Sequence, residues 1–286
     1  MLLTAMGLCA ALGGGLFAGY IRIATDPRIH EAAEVRRAAQ GPFLGQLPPL
    51  PTTQDILSGC EPYTLECVRM VRTALLERVK KGNGDGSTIL VTSATTEVGK
   101  TSFAILLAQS LALLGKRTLL VEADLHRPSL QTRLDVSSEL GLISILTKRC
   151  KSEDAVHHLD ECGFDVLLAG QWSKGSDHEL LANGGMAAAM KDWKRRYDFV
   201  LLDGPPVLPV ADARILSGVA DGTIMVLRSA HSRRSEVRDA YAHLGAAGGT
   251  LLGTVLVGAS LDSAYQRYDY YTGGDGGSGE TKLLDV

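Results

Sequence analysis

No two cysteines in the chain form a C-x-x-C pair. The five present, Cys9, Cys60, Cys67, Cys150 and Cys162, stand far apart and at no metal-ligand spacing. A thiolate metal site or redox dithiol therefore has no support. The pattern fits a reducing compartment, with Cys67 and Cys162 as small core residues. An excess of either charge is also missing: 29 Lys and Arg face 32 Asp and Glu, for a net charge of −3. That gives no case for nucleic-acid binding. Internal repeats are absent, and 286 residues suffice for one main α/β core with short appendages.

Charge is missing altogether from Met1 to Ile21, a run that stops at Arg22. As a helix rising 1.5 Å per residue it would be about 31 Å long, close to the hydrocarbon thickness of a bilayer. Gly13, Gly14 and Gly15 lower helix propensity but suit close helix contacts in a membrane. A signal peptide would carry basic residues ahead of the apolar run, and none is there; a buried soluble helix would show a polar face. The expectation is a transmembrane helix over 1–21. Arg22, Arg28, Arg36 and Arg37 place the C-terminal side of that span in the cytoplasm.

Residues 22–60 read as a juxtamembrane linker, with an amphipathic patch over 29–39. The proline-rich stretch Gly45-Gln46-Leu47-Pro48-Pro49-Leu50-Pro51 then disfavours helix and predicts an extended link. A helix is expected over 62–81, with Pro62 in its first turn and Leu65, Val68, Val71, Leu75 and Val79 as its apolar stripe. From there apolar runs rich in Val, Ile and Leu recur at 88–92, 118–122, 164–168, 199–202, 223–227 and 252–257. Runs of that kind suit strands buried on both faces of a parallel sheet, and helical patterns separate most of them. The prediction is a doubly wound α/β domain over 61–258 with a mostly parallel sheet. Residues 259–286 form a tyrosine cluster and a glycine-rich, flexible tail.

Ala94-Thr95-Thr96-Glu97-Val98-Gly99-Lys100-Thr101 fits the P-loop spacing G-x-x-x-x-G-K-[ST], with alanine at the first glycine. An apolar strand delivers the loop and an amphipathic helix, entered through Lys100, Thr101 and Ser102, comes after it. That context lets backbone N–H groups and a helix N-terminus wrap a phosphate. Lys100 would reach the β- and γ-phosphates of ATP, and the Thr101 hydroxyl would ligate Mg²⁺. Two more strands end in acid. Phe199 to Asp203 places one carboxylate, and Leu119 to Asp124 places Glu122 and Asp124 two residues apart, on one face of an extended chain. Beside a P-loop, Glu122 and Asp203 become candidate metal ligands.

These three elements, in this order, resemble the bacterial tyrosine kinases of capsule and exopolysaccharide production, where they are called Walker A, Walker A′ and Walker B. Asp124-Leu125-His126-Arg127-Pro128-Ser129-Leu130 looks like the end of the A′ segment, and 198–213 like the Walker B region. The resemblance implies a P-loop nucleotide fold and ATP-dependent autophosphorylation on tyrosine, regulating assembly or export of a surface polysaccharide. It implies Lys100, Glu122, Asp124 and Asp203 as catalytic groups, with Glu122 or Asp124 orienting or deprotonating the incoming tyrosine. Glu66, Arg69 and Arg72 fit the E-x-x-R-x-x-R pattern through which such kinases form homo-oligomeric rings. Tyr265, Tyr268, Tyr270 and Tyr271 match the tail cluster phosphorylated in a neighbour's active site. Implied partners are a membrane, an extracytoplasmic chain-length-determinant protein and the polysaccharide export machinery.

Departures are also present. Glu122 stands where the A′ segment usually has aspartate, Thr96 and Glu97 replace a common Pro-Gly pair, and His126 replaces a frequent arginine. Two other readings fit the same phosphate site. A septum-placement or partition ATPase usually carries an extra lysine early in the loop, where this chain has Thr95. A nucleotide-binding scaffold without kinase activity would tolerate Glu122. Phosphotyrosine on the tail separates the kinase from both.

Overall fold

The structure, a computed structural model, describes residues 26–39, 41–51, 56, 60–79, 85–171, 180–182 and 184–260. The expected helix over 1–21 and the tyrosine cluster at 265–271 lie outside the described residues. Among the described residues no helix is long and apolar enough to cross a membrane.

The apolar runs form strands close to where the sequence places them. They are β2 (Ser87–Ser93), β3 (Thr118–Glu122), β5 (Phe164–Leu167), β6 (Phe199–Asp203), β7 (Gly222–Arg228) and β8 (Leu251–Val257). With β1 (Phe43–Leu47) and β4 (Val156–Leu159) they make one eight-stranded sheet of order β1-β8-β7-β2-β6-β3-β5-β4. All neighbours run parallel except β4, which is antiparallel to β5. Both faces are covered, which is why the central strands are apolar throughout rather than alternating. On one face α2 (Pro62–Leu76) and α3 (Lys100–Ala112) bury Val71, Leu75, Phe103 and Leu107 against Ile89, Val91 and Leu201. On the other, α7 (Gly185–Arg196) and α8 (Asp212–Val219) bury Met186, Trp193 and Leu216 against Leu90, Leu119 and Val200. Chain order reverses beside β2, so the loop after β2 opens at a switch point, where α/β sheets bind ligands.

Three local expectations are revised. The helix opening at Pro62 ends at Leu76, not near residue 81. Its buried stripe is Tyr63, Thr64, Cys67, Val68, Val71 and Leu75, while Leu65 is 37% exposed. The reason is that α2 lies against both β1 and α3, and this contact turns Tyr63 and Cys67 inward. The linker also does more than extend. Within it, α1 (Ala32–Ala38) buries Val35 and Ala38, and β1 pairs in parallel with β8, Gly45 opposite Val255, with a register shift between Phe43 and Gly45. Prolines exclude helix there, yet Phe43 to Leu47 precede them and remain free to join a sheet edge.

The opposite edge carries a small polar network. Asp165 on β5 accepts hydrogen bonds from Tyr197 Oη at 2.6 Å and from His158 Nδ1 on β4. The bond to Asp165 holds the His158 pKa above the ordinary histidine value. A raised folded-state pKa means that this stabilisation is complete below about pH 6.5 and is lost as pH rises through the folded value. His158→Gln is therefore expected to lower the melting temperature at about pH 5.5 and leave it unchanged near pH 9. Thermal melts of both proteins at the two pH values check this.

Candidate active site

The loop between β2 and α3 is shaped by two residues in the left-handed region, Glu97 (φ 61°) and Gly99 (φ 88°). Gly99 fits a position that favours glycine. At Glu97 the strain is offset by an outside hold, because Arg228 Nη1 at the end of β7 donates to the Glu97 carbonyl at 2.9 Å. Ala94 does not have a positive φ, so alanine stands at the first loop position without backbone cost. Ser93 Oγ donates to the Thr95 carbonyl at 2.7 Å, tightening the turn. Gly99 caps α3 with no side-chain acceptor, so the first N–H groups of a thirteen-residue helix are open to an anion.

Four of the predicted side chains meet above the strand ends. Thr101 Oγ1 donates to Asp203 Oδ2 at 2.7 Å. Lys100 Nζ lies 3.4 Å from Asp203 Oδ1 and 3.6 Å from Asp124 Oδ2. Asp203 is 1% exposed and Asp124 7%. Burial pushes the Asp203 pKa up, against the pull of Lys100 and the Thr101 hydroxyl. Asp124 Oδ1 also accepts the Arg127 N–H at 3.1 Å, which sets the loop after β3.

Glu122 is placed differently from its reading as a metal ligand. One of its oxygens accepts the backbone N–H groups of Ser129 and of Leu130, the latter at 2.6 Å. Its other oxygen accepts the N–H of Ala169, just past β5, at 3.0 Å. Burial raises its pKa, opposed by those three N–H groups, and the charge of Asp203 raises it further. The carboxylate therefore joins the loop after β3, at Ser129 and Leu130, to the end of β5, at Ala169. A carboxylate so engaged would have to release buried amides to bind a cation.

The remaining cluster fits Mg²⁺. Thr101 and Asp203 supply hard oxygen donors, and the buried Asp124 and Asp203 carboxylates lie within 3.6 Å of the same ammonium, Lys100. Among the described residues no group of three or more His, Cys, Asp or Glu could hold a metal by itself.

Several contacts at the site escaped the sequence reading. His126 Nε2 lies 3.0 Å from Asp212 Oδ2 at the start of α8, which fixes the ring beside the acidic cluster. Arg133 Nη1 donates to Ser102 Oγ at 3.0 Å, and Ser102 Oγ donates to the Pro51 carbonyl at 2.9 Å, tying the linker to the first turn of α3. None of these three pairings can be read from spacing, because each joins segments far apart in the chain. The Glu66, Arg69 and Arg72 set splits in two. Arg69 and Glu66 form an outward pair at 2.9 Å, whereas Arg72 turns inward and donates to the Ser110 carbonyl at 2.6 Å.

Comparison with known proteins matches this arrangement. Residues 86–235 match the AAA domain family model. Tyrosine-protein kinase YwqD of Bacillus subtilis is 34% identical over 224 residues, covering 76% of this chain and 91% of YwqD. The chain belongs to the bacterial tyrosine-protein kinase family. Tyrosine-protein kinase etk of Escherichia coli K12 is 30% identical over 206 residues, 72% of this chain but only 28% of etk. Among solved structures, the BceF tyrosine kinase domain superposes with a TM-score of 0.71 at 30% identity, covering 82% of this chain and all of that domain.

Proposed function

We propose that this chain is an ATP-dependent protein-tyrosine autokinase, attached to the bacterial inner membrane by residues 1–21, that regulates exopolysaccharide or capsule assembly and export. The observation that carries the chemistry is the convergence of Lys100, Thr101, Asp124 and Asp203 at the open N-terminus of α3. Residues 94–102 would cradle the phosphates, the loop through its N–H groups and Lys100 through its charge. Thr101 and Asp203 would hold Mg²⁺, whose charge would offset that of the bridging phosphate oxygens.

In the transfer, the acceptor phenol oxygen bonds to the γ-phosphorus as the bond to the ADP oxygen breaks. The phenolic proton would pass to Glu122 or Asp124, and the engagement of Glu122 with three backbone N–H groups favours Asp124. Positioning and charge stabilisation supply most of the rate in such reactions. Four tail tyrosines, Tyr265, Tyr268, Tyr270 and Tyr271, are the proposed acceptors. Support comes from the exit of the chain: β8 ends at Val257 beside the phosphate loop, and only four residues separate Ser260 from Tyr265. Outward Glu66 and Arg69 remain available for a homo-oligomeric ring, with an extracytoplasmic chain-length-determinant protein and the export machinery as the other partners.

Mass spectrometry of the purified protein after incubation with MgATP tests the reading, beside Lys100→Ala. Phosphate on the 265–271 tyrosines in the wild type and none in the variant is expected. Absence of phosphotyrosine from a protein that binds MgATP and assembles would sink the kinase reading.

A further inference from the structure

The chain re-enters the described structure at Asp26, and it is pinned there. Arg234 Nη1 donates to the Asp26 carbonyl at 2.6 Å, and the Arg234 N–H donates to the Pro27 carbonyl at 2.9 Å. Arg28 forms a β-bridge with Arg233, and Ile29 and Ala230 are joined through backbone at 2.8 Å. The start of α9 (Arg234–Ala246) is thus fastened to the first described residues. Arg22, where the uncharged run ends, lies four residues before Asp26. Four residues of fully extended chain reach no more than about 14 Å. If residues 1–21 span a bilayer, the start of α9 must lie that close to the headgroups.

What the protein presents there is arginine. Arg28, Arg36, Arg37, Arg233 and Arg238 are all exposed. A shallow groove of about 280 Å³ between α1 and α9 is lined by Glu34, Arg37, Ala38, Arg234 and Arg238. Nearby acids are mostly engaged. Glu34 pairs with Arg234 at 2.7 Å and accepts the His30 N–H, Asp26 accepts the Arg28 N–H, and Glu236 accepts the Arg233 N–H. Glu31 and Asp239 are the exposed acids that remain in these segments.

We propose that this arginine surface of α1 and the start of α9 docks on the headgroups of anionic phospholipids. Resting on the proposed membrane span, it adds a second contact that fixes the orientation of the domain. Guanidinium forks match phosphate oxygens in geometry and charge. Attraction to an anionic leaflet acts within about 10 Å at 0.1 M salt, and the tether holds the surface on that scale. The same turn leads to the phosphate loop, since Arg228, which holds Glu97, lies two residues before Ala230. Docking would therefore turn the C-terminal end of β7, beside the phosphate loop, towards the membrane.

The test uses the full chain in phosphatidylcholine nanodiscs with or without phosphatidylglycerol. Phenylglyoxal modification of each arginine is monitored by mass spectrometry. Arg37 and Arg238 are expected to react at least about threefold more slowly in the anionic discs, with the protection lost in about 0.5 M salt. Arg195, exposed at the far end of α7, serves as the reference and should not change. The paired change Arg37→Glu with Arg238→Glu should remove the protection of Arg36 while leaving autophosphorylation in detergent unaltered. Equal reactivity in both discs overturns the proposal. So does equal protection by inorganic phosphate in neutral discs, which would mark a free-anion site. Failure of the chain to co-elute with either disc would overturn the span and the docking together, and it is read separately from arginine reactivity.

Discussion

Asp203→Asn should abolish phosphotransfer while leaving the nucleotide-free protein as stable as before, or more so. Asp203 is buried and hydrogen-bonded to Thr101, and burial pushes its pKa above the ordinary carboxylate value. A carboxyl whose folded-state pKa is raised binds its proton more tightly folded than unfolded. Its contribution to stability therefore declines as pH rises from the unfolded value of about 3.9 through the folded one. At neutral pH the ionised form destabilises the nucleotide-free protein, and asparagine removes that effect at nearly constant volume. The melting temperature without nucleotide is expected to hold or rise by about 2–4 °C, as a gain of up to 1 kcal/mol would give. With MgATP the order reverses. Asparagine is a weak partner for a cation that favours anionic oxygen, so phosphotyrosine formation should fall by about a hundredfold or more. Melts with and without MgATP, beside a time course of tail phosphorylation, read both effects. A variant that melts well below the wild type without nucleotide would show that Asp203 is needed for the fold itself.

Glu122→Ala is expected to damage the protein in the opposite way, through stability first. It would strip the acceptor from the N–H groups of half-buried Ser129 and of buried Leu130 and Ala169. Each buried donor left without a partner costs about 1–3 kcal/mol, so a total of about 3–5 kcal/mol is a fair expectation. For a domain of this size that corresponds to a fall in melting temperature of about 6–20 °C. The isosteric Glu122→Gln separates anchor from ligand. If Glu122 holds the loop, its half-saturating Mg²⁺ concentration should stay within about twofold of the wild type while the melting temperature drops. If Glu122 binds the cation, Mg²⁺ affinity should weaken strongly with little change in the melt of the metal-free protein. Glu122→Asp would withdraw the carboxylate by one methylene and should not restore the anchor.

The phosphate loop and the acid-ended strands were legible because each is local. Strand, loop and helix succeed one another between Ser87 and Ala112, and a run of seven apolar or small residues needs no tertiary information to be a buried strand. The positive φ at Gly99 and the open start of α3 are properties of the same short segment. The linker was only half legible. Its prolines show that helix is excluded beyond Leu47, but nothing in 43–47 announces a pairing with β8, more than two hundred residues away. Strand β4 was missed for a similar reason. His157 and His158 give it no apolar pattern, and only pairing with β5 makes it a strand.

Glu122 shows where local reading stops. Sequence places a carboxylate at the end of β3, two residues before Asp124, and a metal role is the natural reading if the backbone beyond is ignored. Tertiary structure brings the N–H groups of Ser129, Leu130 and Ala169 to that carboxylate, and the longer side chain reaches them. By itself, then, the sequence determined the parallel α/β architecture, the phosphate loop and the acids Asp124 and Asp203, because periodicity and spacing act over a few residues. Folding alone decided that Glu122 serves the backbone, that Arg228 steadies Glu97, and that the arginines of α1 and α9 share one surface. Those outcomes depend on distances between segments remote in the chain, and no pattern of neighbouring residues encodes such distances.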